Sequence, residues 1–166
     1  MKRPLNVLIV EDDPEVATAL SALLVINDVA ASITTEVAKT LKEGEDRIAA
    51  GLMPEGKPIN AVILDLLLPD ALDLQALNSM RERWNWLPII VVTGAAITEA
   101  SVLDAGACDF FVKSQFTGSS LVHSIRKSVV RRGAMARFTE ARVGLERTGT
   151  VIAQAKETAA KLEGGQ

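Results

Sequence analysis

The sequence offers few residues for cross-linking and none of the runs needed to cross a membrane. Its 166 residues include one cysteine, one histidine and no tyrosine. Cys108 cannot form a disulfide within the chain, which excludes a disulfide scaffold and favours a reducing, cytoplasmic setting. No apolar run approaches the roughly 18 residues of a membrane span. The first residues pass from a basic stretch into a short apolar run and then acids, which does not resemble a signal peptide.

The residues that are present are typical of one globular domain with a short addition. Hydrophobic residues make up 48% and charged residues 23%, a balance that supports one good core and excludes intrinsic disorder. The net charge of −3 conceals an asymmetry. Residues 1–125 carry nine basic and 17 acidic side chains, whereas residues 126–147 carry seven basic and two acidic ones. The sequence therefore predicts an acidic body followed by a basic C-terminal stretch.

Strand-like and helix-like segments alternate five times along the first part of the chain. Several of the strand-like runs are nearly continuous apolar strings, as in strands covered on both faces. Segments with helical spacing separate them, which predicts a parallel sheet with helices on both faces. The predicted strands are residues 5–10, 29–33, 61–64, 89–92 and 108–112. The helices are marked by Val16, Leu20, Leu23 and Leu24, by Val37, Leu41 and Ile48, by Leu74, Leu77 and Met80, by residues 98–105, and by Leu121, Val122, Ile125 and Val129.

Residues 133–163 do not follow that pattern. They contain no proline, they are rich in Ala, Glu, Arg and Lys, and their repeat positions alternate spacings of three and four, as in a heptad repeat. We predict a first domain over residues 4–132, a long helix over 133–163 that continues from the fifth helix, and a tail of residues 164–166. The repeat positions are Phe138, Ala141, Leu145, Thr148, Ile152, Ala155, Ala159 and Leu162.

Polar side chains follow the predicted strands at the point where each strand ends. Ligands of an open parallel sheet bind beyond the carboxyl ends of its strands, so these side chains are expected to converge. Carboxylates that converge repel one another unless a cation joins them, and oxygen ligands without His or Cys favour Mg²⁺. A carboxylate beside Mg²⁺, an ammonium and a Thr–Gly turn is equipped to attack phosphorus. The residues are Glu11, Asp12 and Asp13 after the first strand, Asp65 after the third, Thr93 and Gly94 after the fourth, and Lys113 after the fifth.

Four stretches of the sequence, in order, resemble the receiver domain of two-component response regulators. They are VLIVEDDP at 7–14, AVILDLLLPD at 61–70, PIIVVTGA at 88–95 and GACDFFVKS at 106–114, and the resemblance covers residues 4–132. It implies a flavodoxin-like, doubly wound α/β fold with a five-stranded parallel sheet in the order 2-1-3-4-5. It also implies a phosphoacceptor switch rather than an enzyme. A sensor histidine kinase or a histidine phosphotransfer protein would donate the phosphoryl group, and a downstream protein target would respond.

The resemblance also implies a role for each candidate site residue. One carboxylate would accept the phosphoryl group, an acidic cluster with one backbone carbonyl would bind Mg²⁺, and a hydroxyl and an aromatic ring would form the switch. The phosphoacceptor is Asp65. The metal ligands are Glu11, Asp12, Asp65 and the carbonyl of Leu67, the phosphate contacts are Thr93, Gly94 and Lys113, and the switch residues are Thr93 and Phe110.

Three positions depart from the common receiver pattern. Ser114 stands where a proline with a cis peptide bond usually follows the lysine, Asp73-Leu74 stands where Asp-Gly often precedes the third helix, and Phe110 stands where tyrosine is frequent. A cis bond before a residue other than proline costs roughly 2.5–4 kcal/mol. We therefore predict a trans bond between Lys113 and Ser114.

Several other polar residues are predicted to be structural. Asp13 followed by Pro14 is typical of a helix N-cap with proline at the first helical position. Asp70 and Asp73 are interpreted as turn and helix-cap residues. His123 is interpreted as an ordinary residue of the fifth helix, because no His, Cys or acid stands at metal-ligand spacing from it.

The sequence leaves several alternatives for function and assembly. Leu67 stands where an aspartyl-phosphate phosphatase would need a second acid, which argues against a hydrolase. The basic stretch suggests a DNA-binding regulator, but too few residues follow for a winged-helix domain, so we expect no nucleic-acid partner. A third alternative is a receiver fragment of a larger hybrid kinase or cyclase, with the heptad helix as a signalling linker. We predict a homodimer through residues 138–162 and no membrane partner. The alternative to the dimer is a helix folded back on its own receiver.

Overall fold

The computed structural model describes the backbone of residues 4–163 and the side chains of residues 4–135 and 145–158. Residues up to Val130 form one compact unit, and residues from Arg131 form a second. In chain order the elements are β1 (Leu5–Val10), α1 (Pro14–Asn27), β2 (Ile33–Ala38), α2 (Leu41–Gly51), β3 (Ala61–Leu64), β4 (Leu67–Leu68), β5 (Ala71–Leu72), α3 (Leu74–Arg83), β6 (Ile89–Thr93), α4 (Glu99–Asp104), β7 (Asp109–Val112) and α5 (Gly118–Glu163).

The first unit is built on a five-stranded parallel sheet in the order β2-β1-β3-β6-β7. With the two-residue strands β4 and β5 set aside, this is the predicted flavodoxin-like order. Strands β1, β3 and β6 are buried at every residue, which explains why their sequences are almost continuously apolar. The predicted parallel α/β fold is confirmed.

Helices cover both faces of this sheet. Successive side chains of a strand point to opposite faces, so Leu8 of β1 packs in a cluster with Leu77 of α3, while its neighbour Ile9 packs in a second cluster with Leu24 of α1 and Ile125 of α5. The two clusters fix the strands, and the polar residues that follow the strands are thereby brought to one edge of the sheet.

The predicted second strand, residues 29–33, is wrong. β2 spans Ile33–Ala38, and Val37 belongs to this strand rather than to the second helix, which begins at Leu41. The physical reason is that β2 lies at the edge of the sheet and buries only its first and last residues. Its middle therefore lacks the apolar run that marks a strand covered on both faces.

The short hairpin that follows β3 was not predicted. β4 and β5 pair antiparallel, with Leu67 opposite Leu72 and Leu68 opposite Ala71. Leu68 and Ala71 are buried, whereas Leu67 and Leu72 are exposed. Two residues per strand are too few for a periodic pattern, so the sequence carries no signal for this element.

The acids interpreted as structural act as helix caps in two of three cases. The Asp13 carboxylate caps α1 by accepting hydrogen bonds from the N–H groups of Glu15 (2.8 Å) and Val16 (3.3 Å). Asp70 accepts hydrogen bonds from the first turn of α2, an element distant in sequence. Asp73 occupies the N-cap position of α3 with a φ of 52°, but its side chain makes no capping hydrogen bond.

Helix α5 runs on to Glu163, which confirms the long C-terminal helix. Every side chain described between residues 145 and 158 is exposed, including Leu145 (75%) and Ile152 (52%) at heptad positions. Thr148 and Ala155 are exposed as well, and the remaining four repeat positions, Phe138, Ala141, Ala159 and Leu162, lie outside the described side chains. Among the described residues, no helix combines the length and the apolar character that a membrane span requires.

Candidate functional site

The candidate site lies where four strands of the sheet end. Glu11 follows β1, Asp65 follows β3, Thr93 is the last residue of β6 and Lys113 follows β7. Backbone hydrogen bonds between neighbouring strands extend to the site residues themselves. The Asp65 N–H donates to the Val10 carbonyl and the Lys113 N–H donates to the Thr93 carbonyl, each at 3.0 Å. The positions of these side chains are therefore fixed by the sheet itself.

Asp65 is the centre of the arrangement, with only 2% of its surface exposed. Its Oδ1 accepts a hydrogen bond from the Thr93 hydroxyl at 2.7 Å and a longer one from the Leu67 N–H at 3.2 Å. Its Oδ2 accepts a hydrogen bond from Lys113 Nζ at 2.7 Å. The structure thus brings together the predicted carboxylate, hydroxyl and ammonium.

Lys113 also pairs with the second buried carboxylate of the site. Its Nζ lies 2.8 Å from Glu11 Oε2. This contact is an ion pair without hydrogen-bond alignment, so the buried Oε2 has no aligned donor. Glu11 Oε1 accepts a hydrogen bond from the Asp13 N–H at 3.2 Å. One ammonium therefore serves two carboxylates, and part of the acceptor capacity of Glu11 is unused.

The pKa values of Glu11 and Lys113 are both raised, for different reasons. Burial raises the pKa of Glu11, and the negative charge of Asp65 adds to the rise, while Lys113 opposes it. Burial acts to lower the pKa of Lys113, but its contacts with Asp65 and Glu11 outweigh burial, and the pKa is raised. Lys113 is thus held in its charged form, and the site gains from any further cation near Glu11.

The acidic cluster fits a magnesium ion. Glu11, Asp12 and Asp65 each offer a carboxylate oxygen within 4.8 Å of the others, and Asp12 is exposed while the other two are buried. Mg²⁺ prefers one or two carboxylates together with water and phosphate oxygens. The donor set contains oxygen alone, and the buried Glu11 Oε2, although it is ion-paired with Lys113, accepts no hydrogen bond.

The remaining predicted residues surround this centre. Gly94 is exposed, and a Cβ built on it would lie 3.9 Å from the Lys113 side chain. Leu67 lies on the β4–β5 hairpin directly beside Asp65. Phe110 is half-buried against the core cluster that contains α3. Gly94 and Leu67 therefore lie beside Lys113 and Asp65, whereas Phe110 is placed by its packing against the core.

The loop after Lys113 differs in detail from the common receiver pattern. The Lys113–Ser114 bond is trans, as predicted, and Ser114 has a φ of 67°. Phe116 anchors the loop, because its ring meets Phe111 edge-on with centroids 5.6 Å apart. This contact restrains the segment that follows Lys113.

The sequence indicated a turn or helix-cap role for Asp70 but not which helix it contacts. The Asp70 carboxylate, at the turn of the β4–β5 hairpin, accepts hydrogen bonds from the N–H groups of Leu41 (2.8 Å) and Lys42 (3.0 Å) in α2. Nothing in the sequence connects these positions, since they lie 28 and 29 residues apart and meet only in the folded chain.

The chain is thus a doubly wound α/β protein with a buried carboxylate, a hydroxyl and an ammonium in contact at the carboxyl edge of its sheet. The family model for the response regulator receiver domain matches residues 7–126, and the chain belongs to this family.

Known relatives agree with this family. The transcriptional regulatory protein DltR of Streptococcus agalactiae is 32% identical over 162 residues, which cover 95% of this chain and 67% of DltR. The transcriptional regulatory protein TcrA of Mycobacterium tuberculosis is 30% identical over 136 residues, which cover 80% of this chain and 48% of TcrA. The chain thus spans about two thirds of one relative and about half of the other.

Solved structures show the same fold. A CheY-like response regulator receiver domain protein from Methanospirillum hungatei matches with a TM-score of 0.64 and 25% identity, over 80% of this chain and 98% of that one. The N-terminal receiver domain of Klebsiella pneumoniae RstA matches with a TM-score of 0.61 and 27% identity, over 75% and 97% of the two chains. Both matches cover nearly the whole of the solved receivers, so this chain has the receiver fold.

Proposed function

We propose that this receiver accepts a phosphoryl group on Asp65, with Mg²⁺, from a sensor histidine kinase or a histidine phosphotransfer protein. The modified chain then presents a changed surface to a downstream protein target. The observation that carries the proposal is the buried Asp65 carboxylate, which contacts the Thr93 hydroxyl through one oxygen and the Lys113 ammonium through the other. As a family member, the chain acts as a phosphoacceptor switch and not as an enzyme that turns over a separate substrate.

The transfer step exchanges one bond to phosphorus for another. A carboxylate oxygen of Asp65 forms an O–P bond, the P–N bond of the donor's phosphohistidine breaks, and the donor's imidazole leaves and takes up a proton. Lys113 lies 2.7 Å from Asp65 Oδ2, where its charge offsets that of the incoming phosphoryl oxygens. The Gly94 backbone and the Thr93 hydroxyl orient those oxygens.

Magnesium would be held by Glu11, Asp12, Asp65 and the carbonyl of Leu67. When bound, the ion offsets the repulsion between the carboxylates and the phosphoryl group. Glu11 and Asp65 are buried and share one ammonium, so both gain from a second positive charge. Asp12 is exposed and gives the ion a ligand on the solvent side.

The switch begins at Thr93. Its hydroxyl donates to Asp65 Oδ1 at 2.7 Å and accepts a hydrogen bond from the Ala95 N–H at 3.1 Å. A phosphoryl group on Asp65 offers this hydroxyl a new acceptor, and a shift of Thr93 changes the position of Ala95 and of the loop that leads to α4. Ala95 and Phe110 pack against the same core cluster, so the aromatic ring responds to the same displacement.

The first prediction is that Asp65 is phosphorylated only when Mg²⁺ is present. Incubation with a small phosphodonor, followed by intact-mass spectrometry, should show one added phosphoryl group, and Asp65→Asn or EDTA should abolish it. Asp12→Ala should lose metal binding and phosphorylation together. Its matched control is the neighbouring Asp13→Asn, which keeps an N-cap side chain on α1 and should be phosphorylated normally. Phosphorylation of Asp65→Asn, or of the wild type in EDTA, would contradict the assignment.

For the C-terminal helix we propose pairing with a second copy of the chain. Leu145 and Ile152 are exposed at heptad positions, and an isolated helix with an exposed apolar stripe is marginal in water. The proposed receiver boundary at residue 132 lies close to the division of the chain after Val130.

DNA binding by the basic stretch, residues 126–147, is the second candidate function, because relatives are named transcriptional regulators. A salt-dependent gel shift would support it.

A further inference from the structure

The β4–β5 hairpin, residues 67–72, carries the Leu67 carbonyl that the proposed function assigns to the metal, and the inference below rests on that function. Only two residue pairs form the hairpin, and Leu67 and Leu72 expose 44% and 59% of their surfaces. Isolated two-stranded hairpins are marginally stable in water. A hairpin this short therefore depends on contacts outside itself.

Asp70, at the turn of the hairpin, provides such a contact. Both of its carboxylate oxygens are used: Oδ1 accepts from the Leu41 N–H at 2.8 Å and Oδ2 accepts from the Lys42 N–H at 3.0 Å. The first N–H groups of a helix have no partner within the helix, and a carboxylate is favoured there by the helix dipole. Asp70 thus ties the hairpin to the N-terminus of α2.

The helix that receives this contact is itself fixed. At Gly44 it lies so close to β1 that an added Cβ would meet the Val10 side chain at 3.0 Å. One turn of α2 is joined to α3, because the buried Glu45 accepts hydrogen bonds from Ser79 Oγ (2.7 Å) and Arg83 Nη1 (2.6 Å). The hairpin is therefore tied to a helix that is held by both the sheet and its neighbour.

We propose that Asp70 is a positioning residue of the receiver: it holds the hairpin in place and so presents the Leu67 carbonyl to the metal. Asp70 touches neither the metal nor the phosphoryl group and acts through Leu67. A carbonyl on a loose segment has to be ordered each time an ion binds, which weakens binding. Groups that orient a metal ligand from outside typically change the affinity 10–100-fold when they are mutated.

A simple capping role for Asp70 would have a different signature. The N-cap of α2 is Thr40, whose hydroxyl accepts the Glu43 N–H at 3.1 Å; among the described side chains, the hydrogen bonds from α2 to the hairpin are those of Asp70. Thr40→Ala therefore weakens the same helix end without releasing residues 67–72. It is the matched control for Asp70→Ala, and Asp70→Asn, which keeps one acceptor oxygen, is the conservative variant.

The test compares amide hydrogen exchange on the metal-free chain with Mg²⁺ affinity by calorimetry. Asp70→Ala should speed exchange at Leu67 and at Asp73, whose N–H groups bond to Asp65 Oδ1 and to the Leu66 carbonyl. It should weaken Mg²⁺ binding about tenfold, with Asp70→Asn in between. Thr40→Ala should speed exchange at Glu43 and leave both hairpin exchange and Mg²⁺ affinity as in the wild type.

The outcomes separate this inference from the proposed function. Equal effects of Asp70→Ala and Thr40→Ala on the hairpin amides and on Mg²⁺ affinity would overturn the positioning role, as would unchanged hairpin exchange in Asp70→Ala. A wild-type chain that binds no Mg²⁺ would contradict the proposed function and with it the presentation of Leu67 to a metal. The exchange data from metal-free protein would then still report whether Asp70 holds the hairpin.

Discussion

At the scale of single residues, Lys113 determines the charge balance of the site. Its ammonium lies 2.7 Å from Asp65 and 2.8 Å from Glu11, both of which are almost fully buried. Removal of one partner from a buried ion pair leaves an uncompensated charge and is strongly destabilising. When the Lys113 ammonium is removed, the two carboxylates are left without a counter-charge, and a metal ion is expected to stabilise them more strongly.

This balance predicts a stability defect in Lys113→Ala that Mg²⁺ relieves. Without metal, the free energy of unfolding in urea should fall by about 3 kcal/mol, the lower end for a buried pair because Lys113 is partly exposed. Mg²⁺ should raise the stability of the variant more than that of the wild type, since the ion replaces the lost charge. Lys42→Ala, which breaks the exposed pair with Asp46, should change stability by less than about 1 kcal/mol. An equal response to Mg²⁺ in wild type and Lys113→Ala would contradict this account.

The site residues could be predicted because each directly follows or ends a strand of the parallel sheet. Asp65 interrupts the apolar run of residues 61–68, and a buried charge there requires a partner. The hydroxyl of Thr93 has two roles that the sequence could not separate, since it both contacts Asp65 and receives the Ala95 N–H. The partners of Asp70 could not be predicted, because they come from an element that lies beside it only after folding.

At the scale of elements, Asp28 joins the end of α1, the start of β2 and helix α5. Its carboxylate accepts hydrogen bonds from the N–H groups of Ser32 (2.7 Å) and Ile33 (2.9 Å) and from Arg126 Nη2 (2.5 Å). Burial raises the pKa of Asp28, but the Ser32 and Arg126 hydrogen bonds outweigh burial and lower the pKa to about 2. The stability that comes from this lowered pKa is therefore present only while Asp28 is ionised.

We predict a pH-dependent difference in stability between the wild type and Asp28→Asn. The lowered pKa of Asp28 contributes about 2 kcal/mol, which is fully present well above the ordinary aspartate pKa of about 4. This contribution is lost as the pH falls towards the folded-state pKa of about 2. Urea unfolding between neutral pH and acid should show the gap between the two proteins closing. Asp46→Asn, at an exposed pair, should run parallel to the wild type, and a gap that stays constant for Asp28→Asn would contradict the prediction.

The elements that could be predicted are those with strong apolar patterns. β1 and β3 match their predicted bounds because burial on both faces leaves an unbroken apolar run. β2 could not be located, since an edge strand needs few apolar residues, and the run at residues 29–33 belongs partly to the turn that Asp28 organises. The hydrogen bonds of the Asp28 carboxylate stabilise the turn before β2, and such contacts leave no periodic pattern in the sequence.

At the scale of the whole molecule, the C-terminal helix exposes apolar side chains that a second copy of the chain could cover. Its described side chains between 145 and 158 are all exposed, and Leu145 and Ile152 lie one heptad apart. Several other repeat positions are alanine or threonine, which bury little area at roughly 0.8 kcal/mol per CH₂ group. We therefore expect association in the micromolar range.

Sedimentation equilibrium should show the full chain as a dimer at tens of micromolar and a chain truncated after Arg132 as a monomer. Leu145→Asp should abolish the dimer, because it places a charge in the apolar seam, and should leave phosphorylation of Asp65 intact. Thr150→Asp adds the same charge on the far side of the helix and should keep the dimer. If the full chain and the truncated chain are both monomers, the dimer is wrong and a helix folded back on its receiver becomes the better account.

The distribution of the site over the strands also has a consequence for synthesis. Glu11 follows the first strand to leave the ribosome, whereas Lys113 follows the last strand of the sheet. A nascent chain therefore holds two acids at this edge without their counter-charge until β7 has emerged and joined β6. Under the proposed function, a chain without β7 lacks the ammonium that would stabilise an incoming phosphoryl group, so we expect a kinase to find a competent acceptor only after Lys113 has joined the site.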